Sequence, residues 1–479
     1  MRVHRTTLPL IIAAFATSPG IPAPDAAPKP NVILILADDL GYGEVGCYGQ
    51  KTIRTPNIDR IAADGMRFTQ FYAGSTVCAP SRSVLMTGQH MGHTRVRGNS
   101  SKPGAQELRD EDVTVAEVLS QSGYATGLVG KWGLGEVETE GHPNRQGFGY
   151  FFGFLNQTHA HNHFPDHLWR NSDRVPLPND LVAVGTVGAG YATETVVYAD
   201  DLFFDEAAKF VEQHRDEPFF LEIALTVPHA NNERSRLLGD GQEVPDYGRF
   251  EKESWPSPLR GQAAMIERMD QRIGALFEKL RQLDLDGKTV VIFTSDNGPH
   301  NEGGPAFTPE FFDANGPLRG IKRDLTDGGI RVPFIVRWPG HVEPGAVSGH
   351  VGYFGDVMAT LAELAGAPAQ EGPDSISIVP TLLAKGDQTR HDYLYWELHE
   401  NGTDQAVVLD GRWKGLRPKA PGEPIQLYDL GADTGEQADV AAENPAIVAQ
   451  IEKILTEAHV PNEHWRIEAA DPTPASRKD

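Results

Sequence analysis

The sequence predicts an α/β fold: a large, mostly parallel sheet flanked by helices, followed by a small C-terminal subdomain of antiparallel sheet plus helix. Three observations carry this. Several apolar runs of strand length, at residues 31–37, 219–227 and 289–295, are continuous rather than alternating. That is the pattern of strands covered on both faces. Segments with helical periodicity and capping residues stand between them. Beyond about Leu383 the texture changes to short strands joined by turns such as Asp410-Gly411.

The elements follow in order. Residues 31–37 form the first strand, which ends in Asp38-Asp39. Thr55 and Pro56 open a helix with apolar face Ile58, Ile61 and Ala62, which Gly65 stops. Thr114 and Glu117 make a capping-box signature for a helix carrying Val115, Val118 and Leu119. A strand at 124–129 leads into Gly130-Lys131-Trp132-Gly133. A helix over 200–214 precedes the strand at 219–227, which ends at Pro228-His229. Ile266, Met269, Ile273, Leu276, Leu280 and Leu283 recur at helical spacing and read as a core face. The strand at 289–295 then delivers Asp296-Asn297-Gly298, and 332–338 is a further strand. Residues 393–396, 405–409, 413–416 and 425–430 read as the small antiparallel sheet, and 444–458 as its helix.

Composition bounds the function. The 479 residues are 39% hydrophobic and 23% charged, ordinary for a globular chain with a sizeable core. The net charge of −23 argues against a nucleic-acid partner. A basic start, a short apolar run from Leu8 and the small-x-small ending Ala14-Phe15-Ala16 describe a secretory signal peptide, 1–16. The run is too short for stable membrane insertion. Residues 17–30, rich in Ala and Pro, read as a leader, and 471–479 as a disordered tail. The expected location is therefore the periplasm or the outside. In such a compartment Cys47 and Cys78 could pair as a disulfide; otherwise one is chemically altered and the other a passive thiol.

The chemistry-bearing stretch is Cys78-Ala79-Pro80-Ser81-Arg82, running on to Thr87-Gly88. If it is helical, the thiol and the guanidinium share a face; the plainer reading is a buried structural thiol. Ligands in open α/β sheets gather at strand carboxyl ends. Two strands end there in Asp38-Asp39 and Asp296-Asn297. Either pair alone reads as a cap or turn. Together they form an all-oxygen donor set whose mutual repulsion favours a hard cation, Ca²⁺ or alternatively Mg²⁺, over zinc.

These motifs, with Gly130-Lys131-Trp132 and the run from Leu318-Arg319-Gly320-Ile321-Lys322 to Gly328-Gly329-Ile330-Arg331-Val332-Pro333, resemble those of type I, formylglycine-dependent sulfatases of the alkaline-phosphatase-like superfamily. The resemblance covers nearly the whole mature chain in the family's order. It implies a catalytic sulfatase domain at 31–383 and a C-terminal subdomain at 384–470. It implies that a maturation enzyme converts Cys78 to formylglycine, whose hydrate is the nucleophile. Asp38, Asp39, Asp296 and Asn297 would hold Ca²⁺, with residue 78 also on the metal. Arg82 would steady the hydrated aldehyde, Lys131 and Lys322 would bind sulfate oxygens, and His229 would sit near the leaving alcohol. The implied reaction is hydrolysis of sulfate esters on a sulfated polysaccharide or its oligosaccharides.

The sequence departs from the family at Gly133, where a histidine is common, and carries Asp327 where Glu is often found. Candidates to fill the gap at Gly133 are His159, His161 and His163. That cluster reads first as a sugar or sulfate contact, then as a solvent-facing loop, and last as a second metal site; His161 is the one taken as a site residue. For the substrate rim the candidates are residues 90–99, with Arg95, Arg97 and Asn99, and residues 396–400, with Trp396, Glu397 and His399. A core place for Trp396 and a solvated one for Glu397 is the alternative. Two other functions compete: a phosphatase or phosphodiesterase of the same superfamily, and a non-catalytic sulfated-glycan-binding protein that keeps the pocket with an unconverted thiol.

Overall fold

The continuous apolar strands lie at the centre of a ten-stranded sheet. In order across the sheet the strands are Ala346–Ser348, Met66–Phe68, Phe334–Arg337, Thr289–Ser295, Asn31–Asp38, Phe219–Pro228, Ala125–Lys131, Tyr150–Phe154, His167–Arg170 and Asp173–Pro176. This computed structural model describes residues 29–467, apart from 101, 186–187, 371–373, 401 and 420–421. The expected signal peptide and tail, and the leader up to residue 28, lie outside the described residues. The five strands from Thr289–Ser295 to Tyr150–Phe154 run parallel. The strand expected at 332–338 is Phe334–Arg337, and it pairs antiparallel on both sides. The short strands Met66–Phe68 and Tyr150–Phe154 and the hairpin beyond them were not expected, being brief and without a long apolar run.

Each central strand feeds two cores, as a doubly covered sheet requires. Val32, Leu34 and Leu36 pack with helices Cys78–Thr87, Val115–Gln121 and Asp356–Ala365. Ile33, Ile35 and Ala37 face the other way, toward helices Pro56–Ala63, Ala199–Gln213 and Ser257–Gln282. Each fully buried aliphatic side chain contributes about 1.5–3 kcal/mol. The capping box at Thr114 and Glu117 forms with both of its hydrogen bonds. Thr55, by contrast, precedes its helix without capping it through its side chain; its hydroxyl donates to Asp59 Oδ1 instead.

Beyond the main sheet, Tyr393–Leu398, Asp404–Leu409, Trp413–Arg417 and Gln426–Asp429 make a four-stranded antiparallel sheet. Ile451 and Leu455 of helix Pro445–Glu457 join its core. Leu394, Trp396, Val407 and Leu427 share that core with Val84 and Leu85, so the small sheet completes one face of the large one. Cys47 and Cys78 are both free; the possible disulfide is not formed. Among the described residues, no helix is long and apolar enough to cross a membrane.

One buried ion cluster ties the small sheet to the main domain. Lys414 Nζ lies 2.7 Å from Asp327 Oδ1 and 3.3 Å from Glu436 Oε1, and all three side chains are fully buried. Removing Lys414 deprives Glu436 of its cation and leaves Asp327 with Arg331 alone, 3.2 Å away, in a dry site. Lys414→Ala is therefore expected to lower unfolding free energy by about 3–5 kcal/mol, measured by denaturant titration of the whole chain.

Candidate active site

Four adjacent parallel strands deliver side chains at their carboxyl ends. Asn31–Asp38 brings Asp38 and then Asp39; Thr289–Ser295 is followed by Asp296 and Asn297. Phe219–Pro228 is followed by His229, and Ala125–Lys131 ends on Lys131. Helix Cys78–Thr87 starts at this same edge. Pro80 is tolerated in its first turn, and Gly88, with φ 69°, ends it in the left-handed region. Cys78 is thus the first helical residue, where unpaired N–H groups leave a partial positive charge.

The side chains converge. Cys78 Sγ lies 3.4 Å from Asp38 Oδ1. Lys131 Nζ is 2.5 Å from Asp38 Oδ2, and Lys322 Nζ is 2.8 Å from Asp39 Oδ2. Arg82 clasps Asp296 Oδ2 through Nε at 3.2 Å and Nη2 at 2.8 Å, and its Nη1 donates to the Lys131 carbonyl at 2.7 Å. Asn297 Nδ2 donates to Asp39 Oδ1 at 2.7 Å, while its Oδ1 is buried without a partner. Ligand atoms of Asp38, Asp39, Cys78 and His229 all lie within 4.8 Å of one another.

Charge distribution follows from this packing. Burial works against ionisation of Asp38, but the neighbouring cations, Lys131 foremost, outweigh it and hold the carboxyl well below its usual range. Asp296 is pushed up by burial and by the charge of Asp38. Burial opposes the charge on Lys322 too, yet Asp39 and Glu302 keep its ammonium protonated well above the usual range. Burial and Lys322 push the His229 imidazolium down, so the ring is neutral. Its partners agree: Nδ1 faces the Ala230 carbonyl at 2.6 Å, and Nε2 accepts from Lys322 Nζ at 3.0 Å. The Cys78 thiol is pushed well above its ordinary pKa by burial and by Asp38.

A cavity of about 560 Å³ opens over Cys78, Lys131, His229 and Lys322. Its walls are rich in amides and hydroxyls: Asn99, Gln106, Asn156, Gln157, Thr158 and Asn232. Lys102, Arg323, Glu107, Glu136 and Glu400 also line it.

All nine residues expected at the metal and reaction centre meet here. The expected rim residues divide. His161 lines the cavity, and its ring stacks on His229 with centroids 5.1 Å apart. Arg97, Trp396, Glu397 and His399 do not line it. Arg97 and Glu397 form a buried ion pair at 3.0 Å, and Glu397 also takes His399 Nε2, His459 Nδ1 and the Tyr395 hydroxyl. Trp396 Nε1 donates to the Ala73 carbonyl in the core between the sheets. The correction has a simple cause: Trp396 and Glu397 sit on a strand buried along nearly its whole length. From those two segments Asn99 and Glu400 reach the cavity instead.

Most of the cavity's polar lining was not read from the sequence, and four residues at or near it show why. Glu302 bonds Lys322 at 3.1 Å, and Arg323 bridges Glu302 and Glu400. Glu233 accepts from His161, and Gln157 lies against Gly133. Each is a common polar residue in a loop or first helical turn, and nothing in its local pattern marks it.

Comparison with known proteins agrees with this arrangement. The Sulfatase family model matches residues 30–367, and that of N-sulphoglucosamine sulphohydrolase, C-terminal, matches 321–460. The chain is 32% identical to an N-acetylgalactosamine-6-O-sulfatase of Bacteroides thetaiotaomicron, over 89% of this chain and 92% of that protein. It is 33% identical to arylsulfatase A of Homo sapiens, over 89% and 87% respectively. The crystal structure of Ps i-CgsB in complex with k-i-k-neocarrahexaose superposes with a TM-score of 0.75 at 27% identity, covering 92% of this chain and 96% of that one.

Glu397 offers a test of its structural place. Burial raises its carboxyl pKa, but hydrogen bonds from His399 and His459 and the charge of Arg97 outweigh that and hold it far below the usual range. A depressed folded value means stability that is complete above the unfolded carboxylate pKa, about 4.3, and lost as pH falls toward the folded value. Glu397→Ala should cost about 3–5 kcal/mol at neutral pH, with a shallower loss on acidification than the native chain shows. Glu400→Gln, which faces the cavity, should cost about 1 kcal/mol or less. Urea unfolding from pH 7 to pH 3 measures both.

Proposed function

The chain belongs to the sulfatase family and is a sulfatase, and we propose that it acts on a sulfated polysaccharide or its oligosaccharides. The nucleophile is a formylglycine made from Cys78, and Asp38, Asp39, Asp296 and Asn297, with residue 78, would hold Ca²⁺. The observation that carries this reading is the placement of Lys131 and Lys322 on two strand-end aspartates that flank Cys78.

The residues fit a hard cation. All four side chains offer oxygen, the Asn297 Oδ1 is buried and unpartnered, and Asp296 is pushed toward its neutral form by burial and by the charge of Asp38. A cation bound there supplies Lewis acidity toward an ester oxygen and offsets negative charge. With the aspartates so engaged, the two ammonium groups serve the substrate's sulfate. They clamp its oxygens and lower the repulsion a nucleophile meets. Arg82, fixed by Asp296 and the Lys131 carbonyl, holds the first helical turn, and residue 78 with it, against the strand ends.

As a thiol Cys78 would be protonated and weakly nucleophilic. A hydrated aldehyde offers two hydroxyls on one carbon, one to attack sulfur and one to expel sulfate and restore the carbonyl, which neither thiol nor serine can do. Because Cys78 is 2% exposed in the folded chain, the maturation enzyme must read Cys78, Pro80 and Arg82 before folding is complete. The signal-peptide pattern of residues 1–16 supports export to the periplasm or beyond.

The amide- and hydroxyl-rich cavity wall suits a sugar, whose hydroxyls need donors and acceptors in turn. The relatives named for N-acetylgalactosamine sulfate and the neocarrahexaose complex support the same substrate class.

Three measurements test the reading. In active protein from its native host, the mass of the tryptic peptide 68–82 should be that of formylglycine; an intact alkylatable thiol overturns the mechanism. Aryl sulfate should be turned over in preference to aryl phosphate, with activity and melting temperature restored by Ca²⁺ after chelation; a zinc-dependent phosphate preference overturns the sulfatase assignment. Lys131→Ala and Lys322→Ala should each lower kcat about 10²–10³-fold toward aryl sulfate.

A further inference from the structure

The turn that carries Lys322 runs against its own backbone preference. Asp324 N–H closes it on the Ile321 carbonyl at 2.9 Å, which puts Lys322 and Arg323 at its two central positions. Arg323 adopts φ 74°, in the left-handed region, where a turn of this kind favours glycine. The Arg323 N–H donates to the Thr76 carbonyl at 3.1 Å and the Lys322 N–H to the Pro299 carbonyl at 2.9 Å, so the conformation is held from outside the turn. Strain of this sort gathers at ligand sites. What the position gains for it is a guanidinium.

That guanidinium lies on the cavity wall next to the reaction centre, and its side chain is 41% exposed. Two carboxylates fix it. Nη1 donates to Glu302 Oε1 at 2.6 Å, and Nε donates to Glu400 Oε2 at 2.8 Å. Glu302 reaches Lys322 Nζ with its other oxygen, at 3.1 Å, so the cavity-wall cation and the centre's cation share one anchor. A guanidinium carries five N–H donors. Among the described residues, no hydrogen bond takes Arg323 Nη2 and none takes Glu400 Oε1. A donor and an acceptor are thus left side by side on the wall.

The charge around them is wrong for a second anion. Beyond Lys131 and Lys322, the groups at the cavity are Glu107, Glu136, Glu302 and Glu400 against Lys102 and Arg323. Arg323 already faces two of those carboxylates. A hydroxyl fits where an anion does not, because it accepts from an N–H and donates to a carboxylate at once.

We propose that Arg323 and Glu400 are specificity-determining residues that bind a free hydroxyl of the sugar carrying the sulfate, and that they select against a sugar bearing a second sulfate there. The assignment rests on the sulfated-sugar reading above and names the part of the sugar that is read. Arg323 directly follows Lys322 and shares Glu302 with it, so the hydroxyl belongs to the same ring as the ester that Lys322 meets. The hydroxyl oxygen takes a hydrogen bond from Nη2, and its hydrogen goes to Glu400 Oε1. Both bonds exist before and during the reaction, so they act on binding more than on the chemical step.

The test uses the matured full chain with 4-nitrophenyl sulfate, which has no sugar hydroxyl, and a panel of monosulfates of galactose, N-acetylgalactosamine and glucosamine. Arg323→Gly removes the side chain and suits the turn. It should lower kcat/KM on the best sugar monosulfate about 10–10²-fold more than on 4-nitrophenyl sulfate, with the difference lying mainly in KM. Glu400→Gln should show the same split at smaller size. Wild type should cut that sugar more slowly once it carries a second sulfate, and Glu400→Gln, with one carboxylate fewer, should narrow this gap. Near-ultraviolet circular dichroism checks that each variant is folded, and Glu400→Gln decides the matter should Arg323→Gly fail to fold. An equal loss on sugar and aryl sulfate would mean that Arg323 only steadies Lys322, and it overturns the assignment; so does a disulfated sugar cut faster than the monosulfate. A wild-type protein that cleaves aryl sulfate but none of the sugars overturns this assignment and leaves the sulfatase reading standing, whereas one that cleaves neither overturns both.

Discussion

The repulsion among three carboxylates gathered at the ends of two neighbouring strands is the constraint on which the site depends. Asp38, Asp39 and Asp296 are wholly buried, and buried charges persist only when paired. The protein answers with three cations drawn from three places. Lys131 ends a strand two places across the sheet from Asn31–Asp38, Lys322 comes from a loop, and Arg82 comes from the helix that carries Cys78. The same charges that make the acidic cluster tolerable in the folded chain are thus those an anionic ester meets on entry. Structure and function share one electrostatic balance, and a net charge of −23 over the whole chain does not prevent anion binding at this point.

The geometry that holds those charges is set by the sheet. Parallel strands packed on both faces fix where their carboxyl ends fall, since a slip of one residue would turn every apolar side chain to the wrong core. Asn31–Asp38 keeps register with Thr289–Ser295 along its length, which brings Asp39 N–H to Asp296 Oδ1 at 3.1 Å. The C-terminal sheet acts from behind: it covers the core that supports helix Cys78–Thr87, through Trp396 against Ala73 and Tyr72. Glu397 and Lys414 belong to this support. They are polar because the two sheets meet through buried ion clusters as well as through apolar contact.

What could be read from the sequence divides along physical lines. Strands such as 31–37 and 289–295 were legible because full burial writes itself as an unbroken apolar run. The residues that follow them were legible because polar groups directly after such a run have one place to be. Residues on the antiparallel edges were not, since strands of three or four residues carry too little pattern. Trp396 and Glu397 show the opposite failure. An aromatic and a carboxylate side by side suit a sugar and a buried network equally well, and only the fold decides which face of the strand they occupy. Glu233 was invisible for a related reason: an acid in a helix's first turn is favoured there by the helix alone, so its pairing with His161 leaves no trace in the local pattern.

Gly133 joins these threads. Read alone it is a missing side chain; in the structure it is one half of a close packing whose other half is Gln157. The wall that Gln157 helps to build continues through Thr158 to His161, so a single segment supplies both the amide beside Gly133 and the imidazole stacked on His229. The space a side chain at Gly133 would take is thus filled from the facing segment, and the backbone there stays in the left-handed region that glycine alone adopts without strain.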